Sequence, residues 1–149
     1  YIKNRGSNVS VSKRKFIKAR RSSRFLIIQA LYEWQLSGSS VESILRDFAM
    51  KRNFADSDSE YFHELLQNIT AGHQELTEVM RPFLDRPIDQ IDPVEKGVLW
   101  LGIYELKNKP ELPYKVVINE ALELAKQFGS EGSHRYINSI LDKVQKSLK

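Results

Sequence analysis

Apolar side chains recur about every three to four residues along most of the chain, the spacing that places them on one face of an α-helix. After Arg24, for example, Ile27, Leu31 and Trp34 share one helical face. No segment combines strict apolar–polar alternation with the β-branched enrichment that is typical of strands. The pattern therefore predicts an all-α protein.

Capping and breaking signals divide the pattern into about six helices. Ser39 and Ser57 each precede a glutamate by three residues, which is the spacing of a capping box. Asp92-Pro93 is typical of a helix start, and Pro82 predicts the end of the long third helix. The predicted helices span about residues 20–36, 39–50, 57–81, 93–108, 114–128 and 133–148.

The N-terminal residues do not share this pattern. Residues 1–12 are rich in Gly, Ser and Asn and contain little that could be buried, which favours disorder. We therefore predict a disordered basic extension over residues 1–17, followed by a single all-helical domain over residues 18–149. The break after Pro82 divides this domain into helical halves of about residues 18–84 and 87–149.

Length and composition indicate an ordinary soluble globular protein. The 149 residues are enough for one domain with a substantial core, and the absence of cysteine excludes disulfides and thiolate metal sites. No apolar run approaches the roughly 20 residues of a membrane-spanning helix. The first residues also lack the apolar stretch of a signal peptide. These features predict a cytoplasmic protein that does not contact a membrane.

The net charge of +4 conceals a strong asymmetry along the chain. Residues 1–32 contain nine Lys and Arg and no acid, whereas the remainder contains 14 basic and 19 acidic residues. Four of the nine cations stand at the entrance of the predicted first helix, namely Lys18, Arg20, Arg21 and Arg24. A localised basic block favours one polyanion-binding site. The alternative is a tail that only aids solubility.

Catalytic and metal-binding motifs are absent from the sequence. His63-Glu64 begins like a zinc-protease motif, but Gln67 stands where the second histidine is needed. The other two histidines, His73 and His134, lie far away along the chain. There is no Gly-rich phosphate loop and no nucleophile motif. The sequence therefore predicts no metal, no cofactor and no enzymatic activity.

Several aromatic residues lie next to basic residues, an arrangement suited to single-stranded RNA, whose unstacked bases pack on flat side chains. Phe25 and Phe83 belong to this group, although core packing is the better interpretation of an aromatic residue at helical spacing. Tyr136 is the exception. It follows Arg135 in the first turn of the predicted last helix, where backbone N–H groups can also bind a phosphate.

Longer motifs resemble a known family. The first helix contains Arg20-Arg-x-x-Arg followed by Gln-Ala-Leu-Tyr-x-Trp-Gln-Leu36, and the fourth contains Val94-Glu-Lys and Ile-Tyr-Glu-Leu106. The fifth carries Pro-Tyr-Lys-Val-Val-Ile-Asn-Glu-Ala-Leu-Glu-Leu-Ala-Lys-Gln-Phe-Gly129, and the sixth Ser-His-Arg-Tyr-Ile-Asn-x-Ile-Leu-Asp142. In this order they resemble the bacterial transcription antitermination factors of the NusB family. The likeness covers roughly residues 18–145 and leaves residues 1–17 outside it.

The resemblance implies two three-helix bundles, six to seven helices in all, and no catalysis. It also implies binding of boxA-type single-stranded RNA in nascent ribosomal transcripts, together with the ribosomal protein NusE. The pair would join the RNA polymerase elongation complex with other Nus factors. With Lys18 added from the basic block, the predicted RNA-binding residues are Lys18, Arg20, Arg21, Arg24, Phe83, Arg135 and Tyr136. The predicted NusE-binding residues are Tyr32, Glu95 and Trp100.

Two positions depart from the family pattern. Trp100 stands where many relatives carry arginine, so that a contact with NusE there would be apolar or cation–π rather than a charged hydrogen bond. Gly132 replaces an acid found in some relatives just before the sixth helix. Because an acid beside a phosphate site repels it, this glycine is expected to strengthen RNA binding slightly.

Three alternatives stay open at the level of sequence. Similar helical domains occur at the N-terminus of ribosomal RNA cytosine methyltransferases, although this chain reaches Lys149 without a Gly-rich site for S-adenosylmethionine. A helical protein-interaction module with a non-specific basic tail is the second alternative. Finally, some members of the family dimerise and cover the RNA face, so a homodimer is an alternative to a monomer.

Overall fold

The computed structural model describes residues 2–129 and 131–149, with side chains from residue 11 onward. These residues form α-helices and short 3-10 helices without any strand, as the sequence predicts. The α-helices are α1 (Ile2–Ser37), α2 (Val41–Ala49), α3 (Ser59–Met80), α4 (Pro93–Asn108), α5 (Tyr114–Phe128) and α6 (Ser133–Ser147). The 3-10 helices are Arg52–Asp56, Arg81–Phe83 and Ile88–Gln90.

The first helix is much longer than predicted. It begins at Ile2 rather than near Arg20, and residues 11–17, predicted to be disordered, are helical. All side chains over residues 11–18 are exposed, so this part of α1 projects from the body of the protein. No proline interrupts α1, and its many Lys and Arg residues are good helix formers that continue the helix begun in the core. Tyr1 lies outside the described residues.

The caps of two helices lie one residue later in the sequence than predicted. Ser40, not Ser39, caps α2, and its hydroxyl accepts a hydrogen bond from a backbone N–H of the first turn at 3.1 Å. Asp58, not Ser57, caps α3 in the same way, because the Ser57 hydroxyl donates instead to a carbonyl of the preceding 3-10 helix. The predicted cap of α4 is confirmed, since Asp92 accepts two such bonds at 2.8 and 3.3 Å.

The start of α6 is also different from the prediction. The sequence predicts Ser133 as the cap of this helix, since serine is a common capping residue. In the structure Ser133 is the first helical residue, and Gly132 takes the capping position with a φ of +89°. This left-handed conformation is easily adopted by glycine and strained for most other residues. The Ser133 side chain is consequently turned inward and buried.

The six helices form two three-helix bundles that share one core. Helices α1, α2 and α3 pack together, as do α4, α5 and α6, while α4 also packs against both α1 and α3. One continuous hydrophobic cluster runs through both bundles, so the domain boundaries at about residues 18–84 and 87–149 stay a prediction. The bundles are joined by the 3-10 helix Arg81–Phe83 and the loop that follows it, as Pro82 predicts. Within residues 2–129 and 131–149, no helix has the length and hydropathy needed to cross a bilayer.

Candidate nucleic-acid interface

The three predicted arginines of α1 occupy three different environments. Arg24 is 5% exposed, and its guanidinium donates to Glu105 at 2.8 Å and to Glu120 at 3.4 Å. The Tyr61 hydroxyl donates to the same Glu105 carboxylate. Burial is the largest single influence on the pKa of Arg24 and lowers it, but the attractions of Glu105, Tyr61 and Glu120 together raise the pKa of the guanidinium. Arg24 is thus part of a buried ion pair that joins α1 to α4 and α5.

This burial limits access to Arg24, and its predicted contact with RNA stays a prediction. A guanidinium must be accessible to bind a phosphate, and reaching one would separate Arg24 from Glu105 in the protein interior. Arg24 precedes Ile27 by three residues and therefore shares the buried face of α1. The helical period could not identify its partner, which is 81 residues away along the chain. In this structure the ion pair of Arg24 holds α1 in place.

Arg20 is held against the surface by an aromatic ring and an acid. Its guanidinium lies 3.8 Å from the centre of the Tyr61 ring and 4.7 Å from that of Phe16. Its Nε is 3.3 Å from an Asp58 oxygen. With 21% of its side chain exposed, Arg20 can present one edge to a ligand while it connects α1 to the start of α3.

Arg21 is the accessible member of the three. Its side chain is 65% exposed, and its Nε donates to the two carboxylate oxygens of Glu120 at 2.9 and 3.2 Å. Together with exposed Lys18, it borders a cavity of about 710 Å³ between α1 and α5. The far wall of this cavity includes the amide side chains of Asn119 and Gln127. Three acids, Asp56, Glu120 and Glu123, also line the cavity, so the cations available to a polyanion are those at its exposed rim, Lys18 and Arg21.

The later predicted residues meet near the junction of the bundles. Phe83 ends the 3-10 helix that follows α3, and this helix packs against α6, which carries Arg135 and Tyr136. Arg135 is exposed, whereas Phe83 and Tyr136 are half-buried against the core. Arg86 lies over the Tyr136 ring, 4.5 Å from its centre. It is three residues from Phe83 in the sequence, a basic neighbour of that aromatic residue, but it is not among the predicted RNA-binding residues.

The hydroxyl of Tyr136 is enclosed, and the Asp85 side chain is close enough to it to affect the pKa of both groups. Burial is the main cause that raises the pKa of Tyr136, and the neighbouring Asp85 carboxylate also raises it. At neutral pH the hydroxyl is therefore protonated. The chemically useful part of Tyr136 is its ring rather than its oxygen.

Two of the three predicted partner-binding residues are accessible. Tyr32 is 43% exposed and borders a cavity of about 440 Å³ with Asp92 and Val94, while Glu95 is half-buried on the first turn of α4. Burial is the main cause that raises the pKa of Glu95, and the nearby Asp92 carboxylate raises it further. These residues bring α1 and the start of α4 to a common surface.

Trp100 is buried rather than exposed on that surface, and its predicted contact with NusE stays a prediction. It is 4% exposed, and its indole N–H donates to the Thr77 hydroxyl at 3.0 Å. Its ring meets the rings of His73 and Trp34 edge-on, with centres 5.4 and 6.3 Å away. The Trp100 side chain points into the core, where it contacts α1 and α3. It therefore stabilises the packing of α4 on these two helices.

A further ring pair connects the two groups of predicted RNA-binding residues. Phe25, one turn beyond Arg21 on α1, lies 4.6 Å from Phe128 at the end of α5, measured between ring centres. Phe128 is followed by the short connection to α6 and Tyr136. Among residues 2–129 and 131–149, no group of three or more His, Cys, Asp or Glu residues could hold a metal ion.

Comparisons with known proteins agree with this architecture. A sequence model described as the NusB family matches residues 21–146. The transcription antitermination protein NusB of Alcanivorax borkumensis is 46% identical over 131 residues, which are 88% of this chain and 87% of that protein. The corresponding protein of Hydrogenovibrio crunogenus is 44% identical over 135 residues, or 91% of this chain and 84% of that one. These relatives therefore have no room for an appended methyltransferase domain.

Solved structures show the same fold. T. maritima NusB superposes with a TM-score of 0.76 at 26% identity, covering 85% of this chain and 90% of that one. A structure of antitermination factors NusB and NusE in complex with dsRNA gives a TM-score of 0.70 at 21% identity, with 85% and 96% coverage. The second likeness supports the fold alone. The family model and the relatives at 44–46% identity agree with the helical architecture and the motifs, and the chain therefore belongs to the NusB family.

Proposed function

We propose that this chain is an RNA-binding adaptor in transcription antitermination. It binds boxA-type single-stranded RNA of nascent ribosomal transcripts together with NusE, and the pair joins the cytoplasmic RNA polymerase elongation complex with other Nus factors. The observation that carries the proposal is the exposed pair of cations, Lys18 and Arg21, beside a polar cavity between α1 and α5. Family membership supplies the class of partner.

In this proposal the RNA runs from the cations of α1 towards the first turn of α6. Lys18 and Arg21 neutralise phosphates, and Arg20 contributes the accessible edge of its guanidinium. Arg135 adds an exposed cation beside the aromatic residues Phe83 and Tyr136. Phosphate contacts supply affinity, and sequence preference comes from unpaired bases.

NusE binds next to the RNA in this proposal. Tyr32 and Glu95 lie on adjacent helices, and Glu95 is close enough to Arg86 for its charge to contribute to the raised pKa of that arginine, after the larger effect of Asp85. The surfaces for the two partners therefore meet near the start of α4. We expect NusE to tighten RNA binding because the two ligands share this boundary.

Replacing both Lys18 and Arg21 with alanine should reduce the salt dependence of RNA binding. Each lost phosphate contact on a single strand lowers the slope of log affinity against log salt by about 0.7, so the double variant should lose about 1.4. At low salt we expect an affinity loss of about 10- to 100-fold. The measurement is a titration of a boxA-like strand, a scrambled strand and a duplex at several salt concentrations, with and without NusE.

The matched control removes two exposed lysines elsewhere, Lys143 and Lys146 on the last turns of α6, for the same change of net charge. The control should keep the wild-type slope within about 0.3, since distant surface charges are screened. Equal losses in both double variants would mean that only overall charge matters. Wild-type binding that does not distinguish the boxA-like strand from the scrambled one would contradict the adaptor function.

Gly132 offers a second test of the phosphate site. Gly132→Asp should weaken RNA binding two- to fivefold at low salt, because a carboxylate at the start of α6 repels phosphate. The left-handed φ of +89° strains any other residue at this position. Space is not the obstacle, because a Cβ atom at residue 132 would have no described atom within 4 Å. Gly132→Asn is therefore the control, since it carries the same strain without the charge. Equal RNA affinity of the two variants would remove the electrostatic explanation.

A further inference from the structure

Arg86 covers the aromatic ring on which an RNA base was expected to stack. Its guanidinium carbon lies 4.5 Å from the centre of the Tyr136 ring, within the range of a cation–π contact. The neighbouring Asp85 carboxylate accepts hydrogen bonds from Nε at 2.8 Å and from Nη2 at 3.3 Å. These two bonds fix the plane of the guanidinium as well as its position.

Tyr136 leaves little room for a base to pass Arg86. The tyrosine is half-buried, packs against the hydrophobic core and encloses its own hydroxyl. A base that stacked directly on the ring would have to displace Arg86 and break its contacts with both Tyr136 and Asp85. Arg86 itself is accessible, with 39% of its side chain exposed. Its planar guanidinium can stack on a base as an aromatic ring does.

We propose that Arg86 is the outer layer of the stacking platform, and that an unpaired RNA base stacks on its guanidinium while Tyr136 supports it from below. This inference rests on the RNA-binding function proposed above and adds Arg86 to that site. A base on Arg86 keeps the cation–π contact and the Asp85 pair intact. Binding therefore needs no rearrangement of the protein at this point.

The surrounding charges favour this arrangement. Hydrogen bonding from Arg86 is the main cause that lowers the pKa of Asp85, so the carboxylate stays ionised at neutral pH. The hydrogen bond to Asp85 is likewise the main cause that raises the pKa of Arg86, and the charge of Glu95 adds to it. Arg86 thus contacts the Tyr136 ring and is also close enough to Glu95, on the first turn of α4, to respond to its charge.

The decisive experiment combines protein variants with RNAs that lack single bases. In the wild type, removing one particular base of the boxA-like strand should lower the affinity about tenfold, because stacking of one base contributes an effect of that size. Arg86→Ala should lower the affinity of the intact strand by a similar factor. Removing the same base should then have no further effect on Arg86→Ala, whereas Lys18→Ala should retain the full effect of base removal.

Two further variants separate stacking from charge and from folding. Arg86→Lys keeps the charge but loses the planar group. It should therefore show most of the affinity loss expected for Arg86→Ala, while its salt slope stays within about 0.3 of the wild-type value. Arg46→Ala, which removes an exposed arginine of α2, should leave the affinity unchanged. Thermal unfolding of Arg86→Ala should remain within about 3 °C of the wild type, which would exclude a loss of structure.

The outcomes distinguish this inference from the proposed function. If the Lys18 and Arg21 variants lose affinity but Arg86→Ala does not, RNA binding stands and the role of Arg86 is wrong. An increase in the affinity of Arg86→Ala would show that Arg86 shields Tyr136 and competes with the base. Independent, additive losses from Arg86→Ala and base removal would also contradict stacking. If the wild type does not bind the RNA, both proposals fail.

Discussion

Replacing Glu105 with alanine should lower the free energy of unfolding by about 3–5 kcal/mol. Glu105 is 1% exposed and accepts hydrogen bonds from both Arg24 and the Tyr61 hydroxyl. Without it, the Arg24 charge stays buried with only the longer contact to Glu120, and the Tyr61 hydroxyl loses its acceptor. Removing one partner of a buried pair is costly because the other charge is left uncompensated. Chemical denaturation monitored by circular dichroism measures the change.

The control for Glu105 is an exposed ion pair. Glu123 lies 3.5 Å from Lys126 on the surface of α5, and Glu123→Ala should change the free energy of unfolding by less than about 0.5 kcal/mol. In Arg24→Met with Glu105→Leu, both charges are removed together, and this variant should recover most of the stability lost in Glu105→Ala. A loss below 1 kcal/mol for Glu105→Ala would contradict the structural role given to the pair.

Gly129→Ala should destabilise the protein by about 1–3 kcal/mol and also weaken RNA binding. Gly129 has an extended φ of −87°, so alanine is not excluded by the backbone conformation. A methyl group, however, would lie 2.7 Å from the Ala125 carbonyl oxygen and would collide with the Ser133 hydroxyl. The connection to α6 must then move, and the first turn of α6 carries Arg135 and Tyr136. Thermal unfolding and RNA titration measure the two effects.

Gly72 provides the matched control for this substitution. It lies inside α3, and a Cβ built there meets none of the described atoms within 4 Å. Gly72→Ala should therefore raise the free energy of unfolding by about 0.5–1 kcal/mol, because alanine favours a helix over the unfolded chain. RNA affinity should not change in this variant. If Gly129→Ala proved as stable as Gly72→Ala, the close contact with the Ala125 carbonyl would not be a constraint.

The interface combines two kinds of basic residue with different tasks. Arg24 and Arg20 are engaged by Glu105, Asp58 and the Tyr61 ring, and they fix the direction in which α1 leaves the bundle. Arg21 is one residue beyond Arg20 and is mostly exposed. Affinity for RNA and stability of the fold should therefore respond to different arginines, although all three belong to one short motif.

Much of the fold followed from local patterns. The helical period identified Ile27 and Leu31 as residues on one face of the first helix, and both are fully buried. Such predictions succeed because a residue's position relative to its neighbours at i+3 and i+4 decides which face it shares. Caps were predicted less accurately: α3, for example, is capped by Asp58 rather than Ser57, because the Ser57 hydroxyl bonds to a carbonyl of the preceding 3-10 helix.

The sequence by itself determined the all-α class, the membership of the NusB family that its motifs indicate, and the concentration of positive charge in the first 32 residues. Only the tertiary structure decided which of these charges are accessible. Arg24 meets Glu105 across 81 residues, Arg21 meets Glu120 across 99, and Arg86 covers Tyr136. Periodicity describes one helix at a time, whereas such pairs depend on how separate helices pack. The choice between a buried ion pair and an exposed phosphate ligand is therefore made by packing.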